Sequence, residues 1–340
     1  MRALRIDEPG RASLTSVREP EPGAGDVLLR VDRVGFCGSD LTTFRGLNPM
    51  VSYPRIPGHE IAATVEWVGA EVPAERVRVG AQVTVLPYTA CGLCAACRRG
   101  RANTCRGNQT MGVQRDGAMT EFVAVPWQKV LSTDRLSRRD LALVEPLSVG
   151  WHAAARARVT SADRVMVIGC GAVGLGAVAG AAARGAEVVA VDVDDEKLTL
   201  ARLAGAAHGV NSRRSELREA LLALGDGEGP DVAIEAVGLP ETFVSAVAEV
   251  AVAGRVVYIG YAKAPVSYDS SQFVRKELDI LGSRNATEQD FTGAMQLLSA
   301  GHFPAERVVT RTVPLDEAAE ALRGWDADPN RVTRIHVQIH

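Results

Sequence analysis

The sequence predicts an α/β protein in which a mostly β domain is combined with a doubly wound, mostly parallel sheet. In the N-terminal part, runs such as GDVLLRVDRVG and IAATVEWVGA are separated by Pro and Gly turns, as antiparallel strands are. From residue 163 onward, short β-rich runs alternate with helical stretches, which is typical of βαβ units. The length of 340 residues fits two domains, because one hydrophobic core rarely grows beyond about 250–300 residues.

The later part of the chain can be assigned element by element. A strand at 164–168 precedes an Ala-rich helix that ends near Gly185, and the next strand, EVVAVD, ends at Asp192. Further strands are predicted at 231–238, 255–260 and 278–283, and helices at 241–253, 287–300 and 315–325. The run VTRIHVQI predicts a final strand.

Composition excludes several classes of function. The chain is 46% hydrophobic and 23% charged with a net charge of −3, so no basic surface for nucleic acid is expected. No apolar run approaches the roughly 20 residues that a membrane span needs. The N-terminal MRALRIDEPG lacks the charge and apolar pattern of a signal peptide. We therefore expect a cytoplasmic protein with a small-molecule substrate and neither a membrane nor a nucleic-acid partner.

Four of the six cysteines form a compact motif, Cys-x2-Cys-x2-Cys-x7-Cys, made by Cys91, Cys94, Cys97 and Cys105. In a reducing compartment such a cluster indicates a structural zinc site. Two disulfides, a redox pair and an iron–sulfur site are the alternatives. Because four thiolates leave zinc no open coordination position, this motif is not expected to be the active site.

The clearest cofactor signal is a G-x-G-x-x-G motif between a predicted strand and a predicted helix. Gly169, Gly171 and Gly174 permit a tight turn and a close approach to a pyrophosphate, and the helix N-terminus offers amide donors from the Ala172–Val173 region. Asp192 ends the next strand, where it can accept hydrogen bonds from ribose hydroxyls and repel a 2′-phosphate. NAD is therefore predicted rather than NADP.

The ends of the later strands are expected to meet the same cofactor. In a parallel sheet the carboxyl ends of the strands share one edge, where ligands bind. The residues that follow these strands complete the predicted cofactor set: Val237, Gly238, Ile259, Gly260, Ser283 and Arg284.

Three more motifs, CGSD at 37–40, GHE at 58–60 and EP at 145–146, join the cysteine cluster and the glycine motif in one order. Singly, Cys37 could be a small buried residue, His59 a turn histidine and Glu145 a surface acid. Together the motifs resemble the zinc-dependent medium-chain dehydrogenases over essentially the whole chain. The likeness is greater to the sorbitol, threonine and sugar-acid dehydrogenase branch than to the ethanol-oxidising branch, which has a second cysteine where Glu145 stands.

The resemblance implies a fold, a catalytic zinc and an assembly. It implies a GroES-like domain over 1–146 with a structural-zinc lobe at about 88–107, a Rossmann domain over 147–285, and a segment 286–340 that returns to the first domain. Cys37, His59 and Glu145 would bind a catalytic zinc, and Glu60 would bind it or exchange with solvent. Two zinc ions per chain and a homo-oligomer, a tetramer or a dimer, are expected.

The resemblance also implies a reaction. Zinc would lower the pKa of a secondary alcohol, whose carbon gives hydride to NAD. Ser39 matches the hydroxyl that takes the proton, although it could instead cap a helix that starts near Asp40. Thr42 stands where several relatives have a relay histidine, so the onward path runs through Thr42 or Glu60. Asp40 is expected to orient His59.

The substrate is the least constrained part of the prediction. Residues 44–60 are expected to line the channel, and Arg284 and Asn285 to read hydroxyls or a carboxylate, unless Arg284 only packs across the domain interface. The predicted function is oxidation of a secondary alcohol of a polyol or sugar acid, or the reverse. The alternatives are an amino alcohol substrate, such as L-threonine or an aminocyclitol, and a non-catalytic zinc and nucleotide-binding protein.

Overall fold

The computed structural model describes residues 1–225, 227–329 and 332–340. The chain forms two compact units. The first contains Met1–Glu145 together with Ala305–His340, and the second contains Pro146–Pro304. Each unit has its own sheet and its own buried apolar residues.

The first unit is built on β structure. A hairpin of β1 (Arg2–Glu8) and β2 (Arg11–Ser16) accompanies a seven-stranded sheet. The strands of that sheet are β3 (Asp26–Gly35), β4 (Glu60–Val68), β5 (Gln82–Val85), β6 (Phe122–Pro126), β7 (Val130–Ser132), β14 (Arg311–Pro314) and β15 (Ile335–Gln338). Their order is β14-β15-β3-β4-β5-β7, with β6 paired to β3. The pairing is antiparallel throughout except between β14 and β15, so the predicted antiparallel texture is confirmed.

The helices of this unit are short, apart from one. They are α1 (Gly38–Phe44), α2 (Ala95–Arg98), α10 (Ala305–Val308) and α11 (Ala318–Ala327). The longer helix α3 (Arg138–Arg156) begins in the first unit and ends in the second. Pro146 lies inside α3, where it has no amide to donate to the preceding turn, and the division between the units falls directly before it.

The second unit contains the predicted parallel sheet. Its strands are β8 (Arg164–Ile168), β9 (Glu187–Asp192), β10 (His208–Asn211), β11 (Val232–Glu235), β12 (Arg255–Tyr258) and β13 (Asp279–Gly282). All pairs are parallel, and the order is β10-β9-β8-β11-β12-β13. This is the strand order of the Rossmann dinucleotide-binding fold, in which the order reverses beside the first strand.

The helices of the second unit follow its strands in alternation. They are α4 (Ala172–Ala182), α5 (Asp195–Leu203), α6 (Leu217–Leu224), α7 (Pro240–Glu249), α8 (Ser271–Arg275) and α9 (Glu288–Ser299). Side-chain capping explains where two of these helices begin. Asp194 accepts from the amides of Glu196 and Lys197 at the start of α5, and Thr287 forms a capping box with Asp290 at the start of α9.

Two predicted boundaries differ from the structure. The helix predicted over 241–253 ends at Glu249, because Val250 is already extended and leads into the turn before β12. The segment expected to return to the first domain begins at 286, whereas the second unit continues to Pro304. The intervening α9 packs against α4, which keeps it with the second unit. The described residues include no helix with the length and apolar character needed to cross a membrane.

Candidate functional site

Cys37, His59 and Glu60 form a group whose potential ligand atoms all lie within 4.8 Å of one another. The sheet brings them together. β3 ends at Gly35, two residues before Cys37, and β4 begins at Glu60, directly after His59. Gly35 and Glu60 are paired across the two antiparallel strands, so both segments leave the sheet at the same end. Two motifs that are far apart in sequence thus become one cluster.

Glu145 interacts electrostatically with this group, but its carboxylate is too far away to be counted in it. Glu145 lies in α3 and is buried, and its carboxylate accepts a hydrogen bond from the hydroxyl of Tyr88. It is not among the residues whose ligand atoms lie within 4.8 Å of one another. Its negative charge nevertheless raises the pKa values of both His59 and Glu60. Glu145 therefore contributes to the electrostatics of the cluster.

The charge balance of the cluster suits a bound cation. Burial raises the pKa of Glu60 to about 7, although Arg334 opposes the shift. Burial would lower the pKa of His59, but Cys37 and then Glu145 hold it well above its ordinary value. Arg334 donates to Glu60 at 2.5 Å, while the other carboxylate oxygen of Glu60 is buried without a hydrogen-bond partner. A thiol, an imidazole and two carboxyl groups in a buried space are a donor set that fits Zn2+.

The first turn of α1 carries the predicted proton acceptor. The helix starts at Gly38 with Cys37 as N-cap, so the alternative interpretation of Ser39 as the N-cap is wrong. Ser39 Oγ is buried and has no hydrogen-bond partner among the residues that the structure describes. The hydroxyl of Thr42 donates to the carbonyls of Gly38 at 2.8 Å and Ser39 at 3.0 Å, which is the back-bonding that hydroxyls make inside helices.

Asp40 does not orient His59 through a hydrogen bond. One carboxylate oxygen of Asp40 accepts from the amide of Cys37 at 2.8 Å, and the other has no partner. His59 Nδ1 is likewise buried without a partner. Asp40 acts on the site through its charge, since it contributes to the raised pKa of His59.

The four cysteines of the 88–107 lobe form a second group that could hold a metal. The sulfur–sulfur distances are 3.6 Å for Cys94–Cys97, 3.9 Å for Cys94–Cys105 and 3.6 Å for Cys91–Cys105. Ligands at about 2.3 Å from a tetrahedral zinc ion are separated by about 3.8 Å, so the spacing fits zinc. Backbone amides, that of Arg106 first, lower the pKa of Cys94 to about 6, which favours the thiolate. All four cysteines are free, so the disulfide alternative does not apply.

The glycine motif lies between β8 and α4 as predicted. Gly171 is the N-cap of α4, and a Cβ added there would have no atom within 4 Å, so the turn is open above the helix N-terminus. Gly174 is different: a Cβ would lie 1.8 Å from the carbonyl oxygen of Gly169. The first position leaves room for a ligand, and the second lets helix and strand approach closely. Ala172 is buried and Val173 half-buried on the same turn.

Asp192 ends β9 beside this turn. Its carboxylate accepts from the amide of Cys170 at 2.8 Å and from the amides of Val193 at 2.7 Å and Asp194 at 3.1 Å. These bonds fix the side chain next to the glycine motif. Oδ2 accepts only the bond from Cys170, so it has a further lone pair with which it could accept from a ribose hydroxyl.

The ends of the later strands form ordered turns. Glu235, at the end of β11, accepts from the amides of Val237 and Gly238 and from the hydroxyl of Thr242. A Cβ at Gly260 would lie 2.5 Å from Glu235 Oε2, so the loops after β11 and β12 are packed together. Ile259 is half-buried, and Ser283 Oγ is buried without a hydrogen-bond partner. Arg284 and Asn285 are half-buried, and Asn285 has a positive φ of 54°.

Sequence reasoning missed three residues of these sites: Tyr88, Arg334 and Glu235. Arg334 had a usable signal, because it is the one fully charged side chain in the predicted final strand VTRIHVQI. Glu235 had a similar one inside DVAIEAVG. Tyr88 had none, since its contact with Glu145 joins residues 57 positions apart.

Comparison with known proteins identifies the family. Residues 23–135 match the family model of the alcohol dehydrogenase GroES-like domain, and residues 172–300 match that of the zinc-binding dehydrogenases. The predicted fold class, a GroES-like domain plus a Rossmann domain, is confirmed. This chain belongs to the zinc-binding, medium-chain dehydrogenase family and is an oxidoreductase.

Individual relatives cover nearly the whole chain. L-galactonate-5-dehydrogenase of Escherichia coli (strain K12) is 33% identical over 320 residues, 94% of each protein. Sorbitol dehydrogenase of Bacillus subtilis (strain 168) is 32% identical over 329 residues, 95% of this chain and 92% of the relative. A solved structure described as a short chain alcohol dehydrogenase from E. coli CFT073, complexed with the cofactor NADH, has a TM-score of 0.91 at 29% identity. It covers 100% of this chain and 99% of its own.

Proposed function

We propose that this protein oxidises a secondary alcohol group of a polyol or sugar acid to the ketone, or catalyses the reverse reaction, with NAD as hydride acceptor. The observation that carries the proposal is the group of half-buried Cys37 with buried His59 and Glu60, whose ligand atoms converge within 4.8 Å. The sorbitol and L-galactonate-5-dehydrogenases among the relatives support the substrate class.

Cys37, His59 and Glu145 are proposed to hold the catalytic zinc, with Glu60 beside it. Zinc, when bound, supplies a Lewis acid that lowers the pKa of the alcohol. The chain supplies the surroundings. Tyr88 holds the carboxylate of Glu145, and Arg334 holds that of Glu60. Cys91, Cys94, Cys97 and Cys105 are proposed to hold the structural zinc, which gives two zinc ions per chain.

Ser39 is proposed as the first acceptor of the alcohol proton. Its hydroxyl oxygen is buried and free of other bonds, so both lone pairs are available. Thr42 and Glu60 are the two candidates for the onward transfer. Thr42 already donates to its own helix, whereas one oxygen of Glu60 has no partner, and this difference supports Glu60.

NAD is proposed to bind at the carboxyl ends of the parallel strands. The open turn at Gly171 supports a pyrophosphate at the N-terminus of α4, and Asp192 supports a ribose with free 2′ and 3′ hydroxyls. The contributing residues are proposed to be Gly169, Gly171, Ala172, Val173, Gly174, Asp192, Val237, Gly238, Ile259, Gly260, Ser283 and Arg284. Arg284 and Asn285 are further proposed to contact substrate.

We also propose a cytoplasmic homo-oligomer, a tetramer or a dimer. The unbonded cysteines of the 88–107 lobe support a reducing compartment. The edge strand β13 supports self-association, since among the described strands it pairs only with β12. Exposed apolar side chains accompany it, with Val274 82% and Ile280 40% exposed. Light scattering that gives a monomer would contradict this assignment.

The test of the proposed function is NADH formation by zinc-loaded protein. The panel holds polyols, aldonates such as galactonate, gluconate and idonate, threonine and simple secondary alcohols, each with NAD+ and NADP+. Preference for a polyol or an aldonate with NAD+ supports the proposal. Preference for threonine, or no turnover on any substrate with two zinc ions bound, contradicts it.

A further inference from the structure

Arg115 carries a charge that no carboxylate of the described residues neutralises. It is half-buried, and within the described part of the chain its guanidinium donates only to two carbonyls, those of Gln109 at 3.3 Å and Pro87 at 3.5 Å. Among the described residues, no carboxylate oxygen lies within 4.0 Å of its guanidinium nitrogens. The neighbouring Asp116 is engaged elsewhere, because it accepts from Arg55 at 3.0 Å and from the amide of Ile56 at 3.1 Å.

Such a residue is unusual because burial acts against the charge. Desolvation lowers the pKa of Arg115, yet a guanidinium stays protonated in proteins. Two of its five donors are used on carbonyls, which carry no charge. A carboxylate would accept two of the remaining donors in the bidentate geometry that guanidinium favours.

The loop that carries Arg115 is fixed directly against the segment before His59. The amide of Gly117 donates to Ile56 at 2.8 Å, and that of Ala118 donates to Gly58 at 2.9 Å. The approach is close enough that a Cβ at Gly112 would lie 2.5 Å from the amide nitrogen of Gly58. The loop 112–117 therefore lies on the segment that positions His59.

A second link connects Arg115 to the candidate metal centre. The carbonyl of Pro87 accepts from Arg115 and from the amide of Met111, and the next residue, Tyr88, donates to Glu145. Arg115 is thus tied to one residue beside Tyr88 and, through its loop, to one beside His59. All of these residues belong to the first unit.

The side chain next to it offers a further donor. The oxygen of the Gln114 amide accepts from the backbone of Thr110 at 2.8 Å. Its nitrogen donates, among the described residues, only to the sulfur of Met50 at 3.4 Å. A thioether is a weak acceptor, so this amide can turn to a hydroxyl at little cost. The guanidinium of Arg115 can bind a carboxylate, and the neighbouring amide of Gln114 can donate to a hydroxyl on the next carbon. Such a pair of groups is complementary to a sugar acid.

We propose that Arg115 binds the carboxylate of the substrate, with Gln114 donating to a neighbouring hydroxyl, so that the preferred substrates are sugar acids rather than neutral polyols. This inference rests on the proposed function, since it assigns a specificity-determining residue to the same site. Its structural alternative is that Arg115 only ties the carbonyls of Gln109 and Pro87 together.

Kinetics of Arg115→Gln separate the two roles, because glutamine keeps a donor for a carbonyl and removes the charge. We expect kcat/KM for an aldonate to fall about 10- to 100-fold, mostly through KM, since a hydrogen bond to a charged group is lost. We expect kcat/KM for a neutral polyol such as sorbitol to change less than about 3-fold. Arg78→Gln, at an exposed arginine of the same unit, is the matched control and leaves both substrates unchanged.

The contradicting outcomes are distinct. Equal losses on aldonate and polyol, together with a lower melting temperature, assign Arg115 the structural role and overturn the proposal. Unchanged kinetics on both substrates also overturn it, while the proposed function stands. If the wild type oxidises neither substrate, the proposed function fails. Calorimetric titration of the NADH-loaded protein with galactonate then decides: binding lost in Arg115→Gln supports the inference, and absent or equal binding overturns it.

Discussion

Arg334 donates to Glu60 at 2.5 Å, and both side chains are buried, with 6% and 0% of their surface exposed. The same guanidinium nitrogen donates to the carbonyl of Phe36 at 2.6 Å, one residue before Cys37. A residue near the C-terminus thus holds both segments of the candidate metal centre. The C-terminal segment belongs to the first unit for this reason as well as for the pairing of β15 with β3.

Removal of this buried ion pair should be costly. Arg334→Met leaves the Glu60 carboxylate buried and unpaired, so the free energy of unfolding should fall by about 3–5 kcal/mol. Urea denaturation of the zinc-loaded protein measures it. The control is Arg2→Gln, which breaks a partly exposed pair with Glu121 and should cost much less, because water already screens that pair. If the free energy of unfolding falls by a similar amount in the two variants, the buried pair contributes no more to stability than an exposed one.

Tyr88 should determine how well Glu145 serves the metal centre. Tyr88→Phe keeps the ring and removes the hydroxyl that donates to the Glu145 carboxylate. Partners of this kind change metal affinity or activity by about 10- to 100-fold, so catalytic zinc should be lost more readily while structural zinc stays. Zinc content after graded chelation gives the answer. Tyr53→Phe removes a hydroxyl bonded to the carbonyl of Thr43 and should behave as wild type.

Alanine substitutions at Gly171 and Gly174, at the start of α4, should affect different properties: NADH binding in the first case and stability in the second. Gly171→Ala has free space for its methyl group, so the melting temperature should be unchanged while NADH affinity falls at least 10-fold. Gly174→Ala would place a methyl group 1.8 Å from the Gly169 carbonyl, so the fold itself should be destabilised. Thermal melting and NADH titration of both variants test this. The assignment of the turn to the pyrophosphate is wrong if Gly171→Ala binds NADH normally.

His336 should make stability depend on pH. Burial first, and then Arg33, Arg334 and Arg139, lower its pKa well below the ordinary value of 6.5. The unfolded chain therefore binds a proton below pH 6.5 that the folded chain does not, and stability falls as the pH decreases from there, by up to about 1.4 kcal/mol per pH unit. His336→Leu should remove this contribution to the slope of unfolding free energy between pH 6.5 and 5. The control is His302→Leu, at an exposed histidine, and its unfolding free energy should keep the wild-type dependence on pH.

Local patterns predicted the second unit well. The strand predicted at 164–168 and the one ending at Asp192 coincide with β8 and β9, because a buried apolar run bounded by glycine has few alternatives. The helix predicted over 287–300 is also present, since Thr287 and Asp290 form its capping box. The error at α7 has a local cause too: the apolar pattern continues through 250–253, but Val250 is extended and no longer helical.

The candidate metal centre shows what a single sequence does not contain. Cys37 and His59 could be named from their motifs, but their convergence depends on the register of β3 against β4. The contact of Tyr88 with Glu145 and that of Arg334 with Glu60 join residues 57 and 274 positions apart. No periodicity or spacing encodes such pairs. The same holds for Arg115, because the sequence does not show that its guanidinium contacts two carbonyls and, among the described residues, no carboxylate.

The proposed function depends on the assignment of Cys37 to a catalytic zinc site separate from the zinc site of the 88–107 lobe. Its most direct test is zinc content together with NADH formation, measured on Cys37→Ala with the most active substrate of the panel. We expect one zinc ion instead of two, turnover reduced at least 1,000-fold, and unchanged NADH binding. Cys170→Ala, at the buried cysteine of the glycine motif, should keep both ions. Two zinc ions and wild-type turnover in Cys37→Ala would show that Cys37 is not a ligand of a catalytic zinc ion.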